Sequence, residues 1–384
     1  MLKSAIGHSS DPDSEMAIAE VLEQCHASLN NAPQPKAGIL FAAYDFDHAL
    51  ILQKIKAHFP NIALIGSTSY GEISSVLGFE QDSIVLLLLC SDTIDMQAGV
   101  GRNVSKDLSL ASQQAIQQAV GTLVQVPQLC ITTPESLTVS CATILESLQQ
   151  ALGKSFPIVG GFAAEPWTFE KTYQFFDTEV LTDAVPVLLL FGDVRYSTGV
   201  ACGWEPIGKP AQITKVEGKT VYEIDGEPAL NFLEHSLGGR TPSAEYPLAV
   251  FEPRNELFYL RGCVGYDKEF GTVSALADVP LNATVQVSQA SRQNILDATQ
   301  TSIQKAIDSY PGEKPAIALF FTCCCRQQIL GTYTGKEFFF GQNALGNDIP
   351  IVGFYTYGEI APLVRDCDSK LHQMTFVTVL IGAE

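Results

Sequence analysis

The sequence predicts an α/β protein of two domains, built from duplicated strand–helix–strand modules with mostly buried mixed sheets. Three observations lead there. Strand-length apolar runs such as S-I-V-L-L-L-L-C at 83–90 alternate with segments of helical periodicity, the pattern of sheets covered on both faces. The phrase Tyr-Gly-Glu-Ile occurs twice, at 70–73 and 357–360, each time after an apolar run and a glycine. At 384 residues, 46% hydrophobic and 17% charged, the chain exceeds what one core usually organises.

The elements follow in order. Residues 1–30 read as an N-terminal helical segment, with Asp11 as cap, Pro12 at the first helical position and an apolar face of Met16, Ile18, Ala19, Val21 and Leu22. Asn30 to Pro35 (N-N-A-P-Q-P) breaks it. A strand at 38–43, a helix at 47–58, a strand at 62–65, the first Tyr-Gly-Glu loop and a strand at 83–90 form one module. A second has a strand at 129–133, a helix at 136–152 and strands at 156–159 and 186–191. A third has strands at 316–322, 349–352 and 374–381 and a short helix starting near Arg326. Gly66 to Glu72 and Gly353 to Glu359 span six positions, whereas Gly160 to Glu165 spans five, so the middle copy reads as worn.

Between the second and third modules the pattern changes. A hairpin at 211–225 turns at Glu217-Gly218-Lys219, a helix at 227–237 ends in Gly238-Gly239, and four strands follow at 246–252, 257–264, 272–276 and 283–288. A helix at 292–310 returns to the third module. The domains expected are 31–215 and 216–384.

A net charge of −19 opposes phosphate backbones, which argues against nucleic acid. No apolar run approaches the ~20 residues of a membrane-spanning helix, and no signal-peptide core opens the chain, so a cytoplasmic protein is expected. Ten cysteines without a C-x-x-C spacing fit a reducing compartment and no zinc site. Phosphate-loop, dinucleotide, nucleophile-elbow and H-E-x-x-H patterns are all missing, so no enzyme is expected.

A few residues stand out. Glu72 and Glu359 lie at strand-to-loop ends, where open α/β sheets place ligands, although a loop-ordering role is equally available to each. Arg326 follows Cys323-Cys324-Cys325 directly; it suits a carboxylate ligand, or an internal ion pair with Glu359, the reading favoured here. The three cysteines read more readily as packing at a buried strand end than as redox groups or metal ligands. His372 is placed near the second Tyr-Gly-Glu loop, and His235 near a helix C-terminus; His8, His26, His48 and His58 read as surface residues.

These stretches resemble the FIST sensory proteins, which carry an N-terminal and a C-terminal FIST domain. Cys323 to Arg326 is similar to the family's Cys-x-x-Arg, Gly353 to Ile360 (G-F-Y-T-Y-G-E-I) to its signature loop, and His372-Gln373-Met374-Thr375 to its His-Asn-x-Thr, with Gln in place of Asn. G-S-T-S-Y-G-E-I at 66–73 and D-S-I-V-L-L-L-L at 82–89 carry the N-terminal match. The resemblance implies a sensor that binds a small ligand, with amino acids suggested, and signals through a separate histidine kinase or cyclic-di-GMP enzyme. Ligand contacts are then expected from Cys323, Arg326, Tyr357, Gly358, Glu359 and His372. The NosP branch of the family binds haem b and reports nitric oxide. By that resemblance His372 is the first candidate axial ligand and His235 the second, with no other metal. The alternative is a small polar metabolite, its carboxylate on Arg326 and its ammonium on Glu359. A homodimer is left open.

Overall fold

The structure is a computed structural model that describes residues 2–29, 33–251 and 258–383. It is organised by three copies of one module. The first copy runs β1 (Leu2–Ser9), α1 (Ser14–Ser28), β2 (Ala37–Ala42), α2 (His48–His58), β3 (Ala63–Thr68), the hairpin β4 (Glu72–Ser74) and β5 (Gly78–Glu80), then β6 (Ile84–Ser91). The second repeats it as β7 (Ile94–Arg102), α3 (Leu108–Val120), β8 (Pro127–Thr132), α4 (Cys141–Leu152), β9 (Ile158–Gly161), the hairpin β10 (Gln174–Phe176) and β11 (Glu179–Leu181), and β12 (Ala184–Gly192).

The third copy opens with β13 (Val194–Ala201) and is interrupted by an inserted unit. That unit comprises β14 (Glu205–Glu217), β15 (Thr220–Ile224), β16 (Glu227–Pro228), α5 (Ala229–Ser236), β17 (Leu248–Phe251), β18 (Phe258–Arg261), β19 (Cys263–Asp267), β20 (Thr272–Ala275) and β21 (Thr284–Gln289). The copy resumes with α6 (Arg292–Asp308), β22 (Ile317–Cys323), α7 (Cys324–Leu330), α8 (Lys336–Leu345), β23 (Ile351–Thr356), the hairpin β24 (Glu359–Pro362) and β25 (Ser369–His372), and β26 (Phe376–Ala383).

Each copy builds a six-stranded sheet, ordered first strand, closing strand, second, third and a hairpin: β1-β6-β2-β3-β10-β11, β7-β12-β8-β9-β24-β25 and β13-β26-β22-β23-β4-β5. The hairpin is never the copy's own. The first copy lends β4–β5 to β23, the third lends β24–β25 to β9, and the second lends β10–β11 to β3. This closed exchange links all three copies through their sheets.

The three sheets turn one face to a shared core, where Phe41, Phe321 and Phe354 meet; the Phe41 and Phe354 rings stack 4.2 Å apart. The opposite faces are covered by α1 and α2, by α3 and α4, and by α6 and α8. A strand such as β6 is therefore apolar throughout: Val85, Leu87 and Leu89 enter the shared core while Ile84, Leu86 and Leu88 pack under helices. The glycine before each loop is a packing requirement. A Cβ on Gly66, Gly160 or Gly353 would stand 2.0, 1.9 or 2.2 Å from the carbonyl oxygen of Leu40, Thr132 or Phe320 on the neighbouring parallel strand.

The inserted unit is an antiparallel sheet ordered β18-β17-β21-β14-β15-β20-β19, with β16 on β15. Its end strands, β18 and β19, are consecutive in the chain and separated by Gly262, so the sheet curls around its own core with α5 against it. The expected boundary at 215/216 falls within β14.

Several expectations change. The N-terminal segment is a strand followed by a helix; β1 pairs with β6, and Asp13, not Asp11, caps α1 through the N–H groups of Glu15 and Met16. α4 starts at Cys141, not 136, because Glu135 accepts from the N–H groups of Leu137, Thr138 and Val139 and holds them out of the helix. His8 and His48 are buried rather than on the surface. Of the strands expected at 246–252 and 257–264, Glu252 and Leu257 lie outside the described residues.

Candidate functional site

The exchanged hairpins identify the third member of the Tyr-Gly-Glu set. On their partner strands, Ile73 pairs with Gly353, Ile360 with Gly160 and Phe175 with Gly66. Glu72, Glu359 and Gln174 therefore occupy one position, and Glu165 does not. Gly160 to Gln174 spans fourteen positions instead of six, so the middle copy carries an insertion rather than a deletion. Its signal in the sequence was Tyr173-Gln174-Phe175, the phrase without its glycine.

At all three nodes the chain before the closing strand takes a positive φ, at Asp82 (51°), Asp183 (56°) and Met374 (63°), and the next residue turns toward the node. In the first copy Ser83 donates to Glu72 Oε2 at 2.5 Å and Ser69 donates to Oε1. His8 extends this network, with Nε2 2.8 Å from Ser83 Oγ and Nδ1 2.7 Å from Ser74 Oγ. Burial raises the Glu72 carboxyl to about 7 and lowers the His8 imidazole to about 4. In the second copy Gln174 accepts from Ala184 N–H at 3.2 Å and donates to Thr172 Oγ1 at 3.1 Å. Both nodes are closed.

The third is not. Thr375 donates its N–H (3.1 Å) and hydroxyl (2.6 Å) to Glu359 Oε2. Thr356 stands where Ser69 stands in the first copy, but its hydroxyl donates to Gly358 O at 2.7 Å and accepts from Gly358 N–H at 3.0 Å. Glu359 Oε1 is left buried with no hydrogen-bond partner. Burial and the neighbouring Cys323 thiol push this carboxyl well above the carboxylate range, which favours its protonated form.

The surroundings come from three parts of the chain. Trp167 and Phe169, on the fourteen-position loop, hold positive φ (58° and 54°) and pack on Tyr357 with ring centroids 5.6 and 5.3 Å away. Tyr357 donates to Glu165 Oε1 at 2.5 Å and accepts from Trp167 N–H at 3.2 Å. Glu165 also accepts from the N–H groups of Thr168 and Phe169, so it orders the loop. Trp167 packs against the apolar cluster that joins Cys323, Cys325 and Met374 to Leu260 and Ala249 of the inserted unit. Its indole Nε1 is buried and has no partner. Phe169 is 43% exposed, so the aromatic wall reaches solvent.

The expected site residues sort unequally. Cys323, Tyr357, Gly358 and Glu359 come together here. Cys323 and Cys324 are buried at the end of β22; a hydrogen bond with Cys325 and then burial raise the Cys323 thiol, and burial raises that of Cys324. Arg326 is fully buried but pairs with Glu337 of α8 (2.7 Å), not with Glu359. It also donates to Cys202 O, Ile295 O and Thr299 Oγ1, while Glu337 accepts from Tyr355 and Thr299, a network that ties α6, α7 and α8 together. His372 lies opposite Glu359 in the β24–β25 pair, at the end of β25 rather than in the last strand. Its Nε2 is 2.9 Å from Ala361 O, and burial lowers it to about 4. His235 is exposed, with Nδ1 3.8 Å from Glu227. In this arrangement neither histidine fits a haem iron: one has its Nε2 engaged by the backbone and the other has no apolar enclosure. Sequence reasoning missed Trp167, Thr356 and Thr375. A surface groove of about 440 Å³ between Pro33, Asn61, Asp92 and Gln97 contains none of these residues.

Family models for the FIST N domain and the FIST C domain match residues 36–227 and 223–362. The chain belongs to the FIST family. FIST domains are associated with sensory signal transduction. An uncharacterized Mycobacterium tuberculosis protein, Rv0628c, is 24% identical over 389 residues, covering 97% of this chain and 98% of its own. An uncharacterized Methanocaldococcus jannaschii protein, MJ1623, is 28% identical over 186 residues, covering 47% and 36%. Among solved structures, a cyanuric acid hydrolase from A. caulinodans aligns at TM-score 0.37 and 9% identity over all of both chains. A chorismatase aligns at TM-score 0.37 and 10% identity, covering 100% of this chain and 98% of its own. At that distance neither bears on the site. No helix among the described residues is long and apolar enough to cross a membrane.

Proposed function

We propose that this FIST protein is a sensory receptor that takes a small molecule at the Glu359 node and reports to a separate signalling protein, a histidine kinase or a cyclic-di-GMP enzyme. One observation carries the reading. Of three equivalent nodes, two are fully hydrogen-bonded, and the third keeps a buried carboxyl oxygen without a partner. An orphaned buried polar group costs roughly 1–3 kcal/mol, so a fold that satisfies the same position twice and leaves it open once has a use for the opening. The node also lies where the inserted unit, the middle copy's loop and the α7 junction converge, so an occupant would bear on all three.

The test is a thermal-shift screen on the full chain. Stabilisation by a small molecule that disappears in Glu359→Ala and persists in Glu72→Gln supports the reading. Stabilisation that survives Glu359→Ala sinks it. The competing haem reading requires His372 to release Ala361 O. A Soret band in the purified protein that shifts with nitric oxide and is lost in His372→Ala would establish haem and displace the proposal.

A further inference from the structure

A buried carboxyl can meet a ligand as an ionised acceptor facing an ammonium, or as a neutral donor facing an oxygen. No cation among the described residues pairs with Glu359, and burial favours the neutral donor. Thr375 gives both its N–H and its hydroxyl to Oε2, which makes Oε2 the accepting oxygen and leaves the acid proton to Oε1. Oε1 has no partner, and neither has Trp167 Nε1, which can only donate. The open polar groups at this junction are thus two donors.

Among the described residues, no unspent charge faces them. From α7, the Arg326 guanidinium is committed to Glu337, Cys202 O and Ile295 O. From β25, burial keeps His372 neutral. From the inserted unit, Arg261 donates to Asp278 O and Leu260 O and lies over the Tyr259 ring. From β22 and α7, the Cys323 and Cys324 thiols stay protonated. From the middle copy's loop, Glu165 is spent on Thr168, Phe169 and Tyr357. From the closing strand's entry, Thr375 is uncharged. The walls, Trp167, Tyr357 and Phe169, are flat and apolar.

Resting on the reading of Glu359 as the ligand contact, we propose that Glu359 acts as a hydrogen-bond donor and that the ligand is an uncharged, flat carbonyl compound, such as a ring amide or a lactone. Its oxygen takes the Glu359 proton and the Trp167 N–H, and its ring lies against the aromatic wall. A ligand carrying an ammonium or a carboxylate would bring an unpaired charge into this dry junction, a cost that one hydrogen bond does not offset.

The experiment uses the full chain, with nicotinamide and δ-valerolactone as carbonyl probes and glycine and propylamine as ammonium probes, all at millimolar concentration, followed by thermal shift and tryptophan fluorescence. The carbonyl probes are expected to stabilise the protein. Glu359→Gln, still neutral and still a donor, weakens them by no more than about tenfold; Trp167→Phe, which removes one donor, weakens them about threefold to tenfold; Glu359→Ala abolishes binding. Carbonyl affinity holds at low pH and falls once Glu359 ionises. Stabilisation by the ammonium probes instead, tightening as pH rises and lost in Glu359→Gln, overturns the donor assignment and leaves the site standing. Carbonyl binding indifferent to both Glu359→Ala and Trp167→Phe removes the site itself. No stabilisation by any probe also overturns the proposal. Should Glu359→Ala fail to fold, Glu359→Gln and Trp167→Phe, each checked by circular dichroism, carry the same decision.

Discussion

The closed node of the first copy makes a prediction with two opposing halves. Glu72 and His8 are both buried and joined through Ser83, and burial disfavours the charged form of each. Burial moves the carboxyl from its ordinary 4.5 to about 7. The folded state prefers the protonated acid, so this contribution to stability is complete below about pH 4.5 and is lost as pH rises through about 7. Burial moves the imidazole from 6.5 down to about 4. The folded state prefers the neutral ring, so that contribution is complete above about pH 6.5 and is lost as pH falls through about 4. Each separation is about 2.5 pH units at about 1.4 kcal/mol per unit, or about 3–4 kcal/mol. The slopes cancel where the windows overlap. Urea unfolding of the wild type, Glu72→Gln and His8→Gln across about pH 4 to about pH 8 reads this directly. Relative to wild type, Glu72→Gln should gain about 3–4 kcal/mol as pH rises through its window, and His8→Gln about 3–4 kcal/mol as pH falls through its own. A constant offset from altered hydrogen bonding is expected for each, but not a constant difference. Curves parallel to wild type would show that one or both groups carry charge inside the fold, and the neutral-node argument would fail.

Other outcomes follow from the packing. Arg326→Met strands the Glu337 carboxyl in the core and should cost about 3–5 kcal/mol in urea unfolding, while the double variant with Glu337→Leu should recover much of it. Gly160→Ala places a methyl 1.9 Å from Thr132 O and should prevent folding by circular dichroism, whereas Gly335→Ala, with no atom within 4 Å, should be silent. A thiol-alkylating reagent should label exposed Cys367 in the native protein and Cys323–Cys325 only after denaturation, as mass spectrometry would show.

The sequence makes the β2–α2–β3–β6 unit and its relatives readable because their strands are covered on both faces and their apolar runs are unbroken. β7 and β13 were missed because I-D-M-Q-A-G-V-G-R and V-R-Y-S-T-G-V-A mix polar residues and glycines into the run. The glycines are there because a helix backbone presses on each strand: a Cβ on Gly99 or Gly199 would stand 2.0 or 1.9 Å from Ala115 O or Ser302 O. α3 was missed because its L-S-L-A-S-Q-Q-A face is too mildly apolar to stand out. Glu359 was legible as a site because its phrase repeats. Which partner Arg326 takes was not, since Glu337 lies eleven positions away on a helix that sequence periodicity did not reveal.

The equivalence of the nodes also shows how the third differs from the first. Glu72 is enclosed by its own copy: β1 supplies His8, the entry to β6 supplies Ser83, and Ser69 closes the remaining oxygen. In the third copy the position of His8 is Val200, since Ser9 and Ala201 pair with the equivalent Ile84 and Phe376. A valine offers no hydrogen bond. The chain that follows β13 does not return to a helix within a few residues, as it does after β1, but departs into the inserted unit. The third node therefore lacks the first's polar neighbour on one side and has the inserted unit as a separate surface on the other. If that is the origin of the opening, Val200→His together with Thr356→Ser rebuilds the first copy's network at Glu359. The double variant should melt higher than wild type and lose its response to whichever ligand stabilises the parent. A double variant that still binds normally would show that the opening at Glu359 is set by something other than these two side chains.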